Sequence, residues 1–337
     1  MKIIGFIRSN EWWEYKLTLF LFVGLLVILD LDTSDPISAF FHLLILLGAI
    51  VAGAVFVSLI NDFTDLEEDA KAGKSNRLAS FSIQKSIGYI LASIALGVLF
   101  TWYLWSYSST ILFYLGAWIS FSLYSIPPFR LKTRGVLGVF ADAFGAHVFP
   151  TLFVFSGMVE FLDREPGATI FFILGVWAFS YGMRGILWHQ FSDLQNDKIS
   201  GIKTFASLLE IKQIKLLERI LICVELISFI LLAISFHQFI LLALLGSFII
   251  YEIVISSVIG VTQVLILVPE KGPWTFFMAS FYQSVVPLTL LIFLSIQAPI
   301  FLILIPVYLL LFPNDLRMNF RFVRSLAYHL KKKELVK

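Results

Sequence analysis

Long, nearly uninterrupted apolar runs recur from end to end of the chain. They lie near residues 17 to 30, 38 to 60, 86 to 105, 109 to 124, 136 to 158, 168 to 189, 215 to 236, 239 to 267, 275 to 296 and 299 to 313. A bilayer core is crossed by about 20 helical residues rising about 1.5 Å each, so every run is a candidate span. The loops between them are too short to hold another fold. The pattern predicts an all-α, polytopic transmembrane bundle of ten spans, with nine as the alternative if the short last run is re-entrant. Residues 1–16 read as an interfacial N-terminal segment, 17–313 as one transmembrane domain and 314–337 as a basic tail. Within the domain the order suggests two tandem four-helix units followed by extra C-terminal spans.

Composition agrees with this pattern, since 337 residues that are 59% hydrophobic and 14% charged, with 35 Phe and 8 Trp, cannot form an ordinary soluble domain. The net charge of +2 is too small to imply nucleic acid. The single cysteine, Cys223, excludes an intramolecular disulfide and reads as an inert thiol in the core. The N-terminus, MKIIGFIRSNEWWEYK, lacks the continuous apolar stretch of a signal peptide.

Lys and Arg segregate cleanly between the two sides. One side holds Lys2, Arg8 and Lys16, then Lys71, Lys74, Arg77 and Lys85, then Arg130, Lys132 and Arg134. The same side holds the bases from Lys198 to Arg219, Lys271, and the tail from Arg317 to Lys337. The opposite loops contain only Arg164, among Asp30, Asp32, Asp35, Glu160, Asp163 and Glu165. By the positive-inside rule both termini are expected to be cytoplasmic, which requires an even number of spans and favours ten.

Charge is concentrated in two places. NDFTDLEEDAKAGKSNR, residues 61 to 77, follows the second span. If the helix continues, Asp62, Asp65 and Asp69 share one face, flanked by Asn61 and Glu68. WHQFSDLQNDKISGIKT, residues 188 to 204, follows the sixth span and puts Asp193 and Asp197 on one stripe with His189 a turn earlier. Clustered carboxylates repel one another unless a cation lies among them, and hard oxygen donors suit Mg²⁺ together with phosphate oxygens. The surrounding Lys74, Arg77, Arg130, Lys132, Lys198 and Lys203 would neutralise a diphosphate. On an allylic prenyl diphosphate, withdrawal of electrons onto the diphosphate lengthens the C–O bond, and an apolar pocket would shield the resulting cation from water.

Any one of these charges could be only a solvated helix end; the conjunction of two same-face clusters on the basic side points to a site. Glu67 and Glu68 read as flanking acids, and His189 as either a site partner or a packed interfacial histidine. Arg184, inside the sixth span, demands a partner, for which Asp142 is the first candidate. Lys331 to Lys333 suit attachment to anionic lipid.

With Asn61, Asp62, Asp65, Asp69 and Arg77 in the first motif and Asp193 and Asp197 in the second, the chain resembles the UbiA superfamily of intramembrane prenyltransferases. Tyr124, Pro128, Arg130, Lys132 and Arg134 are similar to that family's basic loop, and Gly201, Lys203 and Thr204 to the segment after its second motif. The likeness covers roughly residues 15 to 300. It implies a helical bundle around a central cavity in which Asp62, Asp65, Asp69, Asp193 and Asp197 hold Mg²⁺. Asn61, Lys74, Arg77, Arg130, Lys132 and Lys203 would meet the diphosphate, with His189 orienting or deprotonating the acceptor. The implied reaction is transfer of a prenyl group from prenyl diphosphate to an aromatic or lipid acceptor at the cytoplasmic face of the cell inner membrane. Relatives that transfer phosphoribosyl groups to lipid phosphate or cyclise terpenes supply alternatives. A cation-coupled transporter is the rival of another class, although transporters keep coupling groups near the midplane.

Overall fold

The computed structural model describes residues 8–30, 35–194 and 204–334. Helix α1 (Ser9–Asp30) is polar in its first two turns, with Glu11, Glu14 and Lys16, and from Leu17 to Leu29 apolar around nearly its whole circumference, the pattern of a buried helix. It lies enclosed among its neighbours, and Phe22, Leu25 and Val27 are wholly buried. Helix α2 (Pro36–Thr64) starts where Pro36 fits the first turn and the Asp35 carboxylate accepts from Ser38 N at 3.0 Å. Its 29 residues extend about 43 Å at ~1.5 Å each, more than a hydrocarbon core of ~30 Å. The helix is thus longer than an untilted crossing needs, and the first acidic cluster begins in its last turn.

Short α3 (Leu66–Lys71) and a 3₁₀ turn (Arg77–Ser80) lead into α4 (Ile83–Tyr103) and α5 (Ser108–Ser125). Their outer faces expose Leu91, Trp102 and Leu112, apolar surface that suits lipid. Helix α6 (Val136–Phe161) contains a π turn at Phe144–Val148 immediately before Pro150. Helix α10 (Phe281–Gln297) repeats this device, with a π turn at Phe281–Val285 before Pro287. A proline cannot donate to the carbonyl four residues back, so the helix widens there. The freed Gln283 carbonyl accepts a hydrogen bond from Tyr308 Oη.

Between them run α7 (Ala168–Ser192), α8 (Ile211–Ser235), opened by a Glu210–Gln213 capping box, and α9 (Phe239–Ile259). After α10, a 3₁₀ turn and α11 (Leu304–Leu311) form an apolar segment that bends by 81° into α12 (Pro313–Glu334). Trp13 Nε1 donates to Leu311 O at 3.0 Å, and Asp315 N donates to Glu14 Oε1 at 2.8 Å, so the start of α12 is fastened to the start of α1.

The bundle is an integral membrane protein of the expected all-α class, with four differences in detail. All ten apolar runs contribute to helices, but among the described residues six helices are individually long and apolar enough to cross a membrane, and the α11–α12 bend offers a seventh. The others fall short because α8 carries Glu218, Arg219 and Glu225 within its run, α5 is rich in serine, and α10 is short. The eighth run does not reach residue 267. Gly260, at φ 77°, ends α9, and Thr262–Val264 (β1) pairs in parallel with Trp274–Phe276 (β2), so the ninth helix does not begin at 275. Cys223 is exposed on the outer face of α8 rather than buried.

Candidate functional site

The end of α2, α3, the α5–α6 loop, the end of α7 and the start of α1 converge at one end of the bundle. Beside them lies a cavity of about 800 Å³, lined from this end by Arg8, Glu11, Asn61, Trp188 and His189. Its lining is mainly apolar and rich in aromatic rings, including Trp118, Tyr181, Trp188, Trp274 and Phe276, and Asn61, Arg8 and Glu11 line it where the acidic motifs begin.

Asn61 and Asp62 occupy the last turn of α2. Asn61 Oδ1 accepts from Ser125 Oγ at 2.8 Å and from Lys132 Nζ at 3.5 Å, which fixes its amide against the cavity. The Asp62 carboxylate is 1% exposed and receives Arg8 Nη2 at 2.5 Å, with Arg77 Nη1 at 3.6 Å from its other oxygen. The helix breaks at Asp65, whose N–H still reaches Asn61 O at 3.0 Å and whose carbonyl accepts from Asp69 N at 2.8 Å, so helical hydrogen bonding carries over the break into α3. Asp65 accepts from Arg130 Nη2 at 2.9 Å and from Lys132 Nζ. Asp69 Oδ2 accepts from Asn76 Nδ2 at 2.8 Å.

Arg130 takes a left-handed backbone conformation, φ 39°, that turns its side chain back over α2 and α3. Glu68, read from sequence as a flanking acid, holds that guanidinium with both oxygens, at 2.6 Å and 2.5 Å. It therefore positions the basic loop. Burial pushes the Lys132 ammonium below its usual range, and the adjacent Asp65 carboxylate opposes that shift. Close packing requires Gly138 one turn into α6, since a Cβ there would stand 2.6 Å from Leu131 O.

The second cluster meets the first through Lys74, whose Nζ lies 3.4 Å from Asp193 Oδ1. Asp193 caps α7 through its N–H on His189 O at 3.0 Å. His189 lines the cavity beside Trp188, their ring centroids 4.5 Å apart. Asp197, Lys198 and Lys203 lie outside the described residues. Among the described residues no three His, Cys, Asp or Glu groups form a ready-made metal cage. Asp62, Asp65 and Asp193 instead hold protein cations, and Asp69 an amide.

Arg184 does not pair with Asp142. Its Nη1 lies 2.6 Å from Glu225 Oε2 with both side chains fully buried, while Nη2 donates to Phe277 O at 2.8 Å and Nε to Leu265 O at 3.3 Å. The guanidinium also stands 4.6 Å from the Phe276 ring centroid. Asp142 faces the cavity with Lys16 and His189.

Sequence reasoning missed Asn76 and Glu11. Asn76 Nδ2 also donates to Asp62 O at 2.7 Å and its Oδ1 accepts from Leu78 N at 3.0 Å, so one amide ties the loop to both aspartates. An Asn directly before Arg77 at the start of a new element was the available signal. Nothing local marks Glu11, which lies 66 residues from Arg77 and meets it at 3.1 Å.

Fold and site together define a membrane-embedded helical bundle whose acidic and basic motifs guard a deep apolar cavity. The chain belongs to the UbiA prenyltransferase family, whose model matches residues 17–266. No curated protein sequence matches it. Among solved structures it is similar to a UbiA homolog from Archaeoglobus fulgidus bound to DMAPP and Mg²⁺, with TM-score 0.58 and 18% identity, covering 86% of this chain and 96% of that one. The same homolog bound to GPP and Mg²⁺ gives 0.56 and 17%, covering 93% and 100%. A digeranylgeranylglyceryl phosphate synthase gives 0.52 and 14%, covering 93% and 97%. At these identities the likeness is one of fold.

Proposed function

We propose that this protein is a Mg²⁺-dependent prenyltransferase that moves a prenyl group from an allylic diphosphate to an acceptor held in the cavity and releases diphosphate. The observation that carries this reading is the Lys74–Asp193 contact, which joins the two acidic clusters beside a largely apolar cavity that their chain neighbours Asn61 and His189 help to line. The solved relatives bound to DMAPP or GPP with Mg²⁺ favour the same reading.

The donor set fits a hard divalent ion. Asp62, Asp65, Asp69 and Asp193 supply carboxylate oxygens, and each already attracts a cation or an N–H donor in its present surroundings. We assign Asp197 to the same set. Bound Mg²⁺ would neutralise the departing diphosphate as the C–O bond lengthens. Lys74, Arg77, Arg130, Lys132 and Lys203 would hold phosphate oxygens, and Asn61 would keep the first cluster aimed at the cavity. The aromatic wall excludes water and offers ring faces to the allylic cation. His189 would take the acceptor's proton or orient the acceptor.

Residues 17–313 would form the catalytic domain, with 1–16 as an interfacial segment and 314–337 as a basic cytoplasmic tail. The shared location of the α1 start, the acidic clusters and the α12 start favours both termini, and the site, on the cytoplasmic face of the inner membrane.

The test is Mg²⁺-dependent pyrophosphate release from a prenyl diphosphate by Asp65→Asn and Asp193→Asn. Loss of release in each supports the assignment, and undiminished release in both removes it. Flux across sealed vesicles without a covalent product would favour the transporter instead.

A further inference from the structure

One cation sits on the most buried acid of the site and comes from outside both motifs. Arg8 precedes α1 in a left-handed conformation, φ 52°, which is unfavourable for any residue with a Cβ. Its Nη2 holds Asp62 Oδ1 at 2.5 Å, and its Nη1 lies 3.4 Å from Glu11 Oε2. Arg77 closes the ring, with Nη2 at 3.1 Å from Glu11 Oε1 and Nη1 at 3.6 Å from Asp62 Oδ2. Two guanidiniums and two carboxylates therefore balance at the cavity entrance, and each oxygen of Asp62 faces an arginine. Arg8 and Glu11 both line the cavity. Among the described residues the buried Arg8 Nε finds no acceptor, so its planar fork is only partly used.

This charge pattern has a consequence for ligand order. A divalent ion arriving alone meets two arginines and a carboxylate already neutralised, whereas an ion arriving with a diphosphate brings the anion those arginines can take. We propose that Arg8 is the counter-ion of Asp62 in the metal-free protein and a diphosphate ligand in the loaded one, so that metal and diphosphate bind cooperatively. This rests on the Mg²⁺–diphosphate reading given above. The guanidinium exchanges one anion for another across the same entrance, and its free Nε supplies the second prong of a bidentate phosphate contact.

The test is equilibrium binding on the full chain in nanodiscs. Mn²⁺ serves as an electron-paramagnetic probe and inorganic pyrophosphate as the anion, with solution complexes of the two subtracted. In the wild type, pyrophosphate should tighten Mn²⁺ binding. Arg8→Gln should bind Mn²⁺ alone more tightly, and should bind pyrophosphate at saturating Mn²⁺ about tenfold more weakly, the loss of one charge-assisted partner. Arg8→Lys keeps the charge but not the fork, and should leave Mn²⁺ binding alone unchanged while weakening pyrophosphate. If Arg8→Gln does not fold, Arg8→Lys carries the test. A folded variant that binds both probes as the wild type does overturns the role of Arg8. A wild type that binds no Mn²⁺ with or without pyrophosphate overturns the underlying site as well, and Asp65→Asn, expected to lose Mn²⁺ under both conditions, separates the two failures.

Discussion

The buried pair Arg184–Glu225 offers the sharpest test of how the cavity wall is held. Both side chains are fully enclosed, and the guanidinium links α7 and α8 to the carbonyls of Leu265 and Phe277, which directly follow β1 and β2 at the same end of the parallel pair. Removing one member strands the other in a medium that solvates charge poorly. Arg184→Met or Glu225→Leu should each lower unfolding free energy by about 3 to 5 kcal/mol, the usual cost of a broken buried pair. The double variant Arg184→Met with Glu225→Leu leaves no stranded charge, and the lost desolvation penalty offsets much of the lost attraction. It should lie within about 2 kcal/mol of the wild type, a coupling of several kcal/mol by double-mutant cycle. Reversible unfolding in mixed detergent micelles measures all four proteins on one scale. Because Trp274 and Phe276 line the cavity, the single variants should also raise KM for the prenyl substrate. Additive effects, with coupling below about 0.5 kcal/mol, would mean that the pair is not an interacting unit and would refute the reasoning.

Three further outcomes follow from the entrance. Lys132 titrates below its ordinary value of 10.5 because burial disfavours its charge, so the folded protein binds that proton less tightly than the unfolded chain does. The resulting penalty is present at neutral pH and is relieved as pH rises from the folded value toward 10.5. Lys132→Met should therefore change unfolding free energy by less than about 1 kcal/mol and flatten its dependence on alkaline pH, yet cut pyrophosphate release about tenfold or more. Unchanged turnover would remove Lys132 from the site. Gly138→Ala should displace the Leu131–Lys132 backbone, since the added Cβ would meet Leu131 O at 2.6 Å and Lys132 Cα at 2.9 Å, and turnover should fall with little loss of helix content by circular dichroism. Asn76→Ala should cost about 1 to 3 kcal/mol by leaving partly buried acceptors unpaired, read in thermal unfolding, and should raise KM for diphosphate more than it lowers kcat.

The long apolar runs, and the position of the first acidic cluster at the end of a helix, were legible because each is local. A run of apolar residues specifies a helix that can sit in lipid, and helical periodicity alone predicts a shared stripe for Asp62, Asp65 and Asp69. The π turns with their following prolines, and Gly260 and Gly272 around the β1–β2 segment, also left local marks, although apolar content there overrode them in the reading of spans. Which helix lies at the centre was not legible. Lipid tails and protein interior are equally apolar, so α1, enclosed by its neighbours, and α4, largely exposed, read alike.

Partner choice depended wholly on tertiary structure. Arg184 could have met Asp142 by composition, but packing brought it to Glu225, 41 residues away, and turned Asp142 toward the cavity. Glu68 became the anchor of Arg130 across 62 residues, and Arg8 reached Asp62 across 54. Periodicity sets the face on which a charge stands, through the fixed turn of the helix. The opposite charge it meets is set by which helices pack together, because an electrostatic contact selects on distance in space and carries no imprint along the chain.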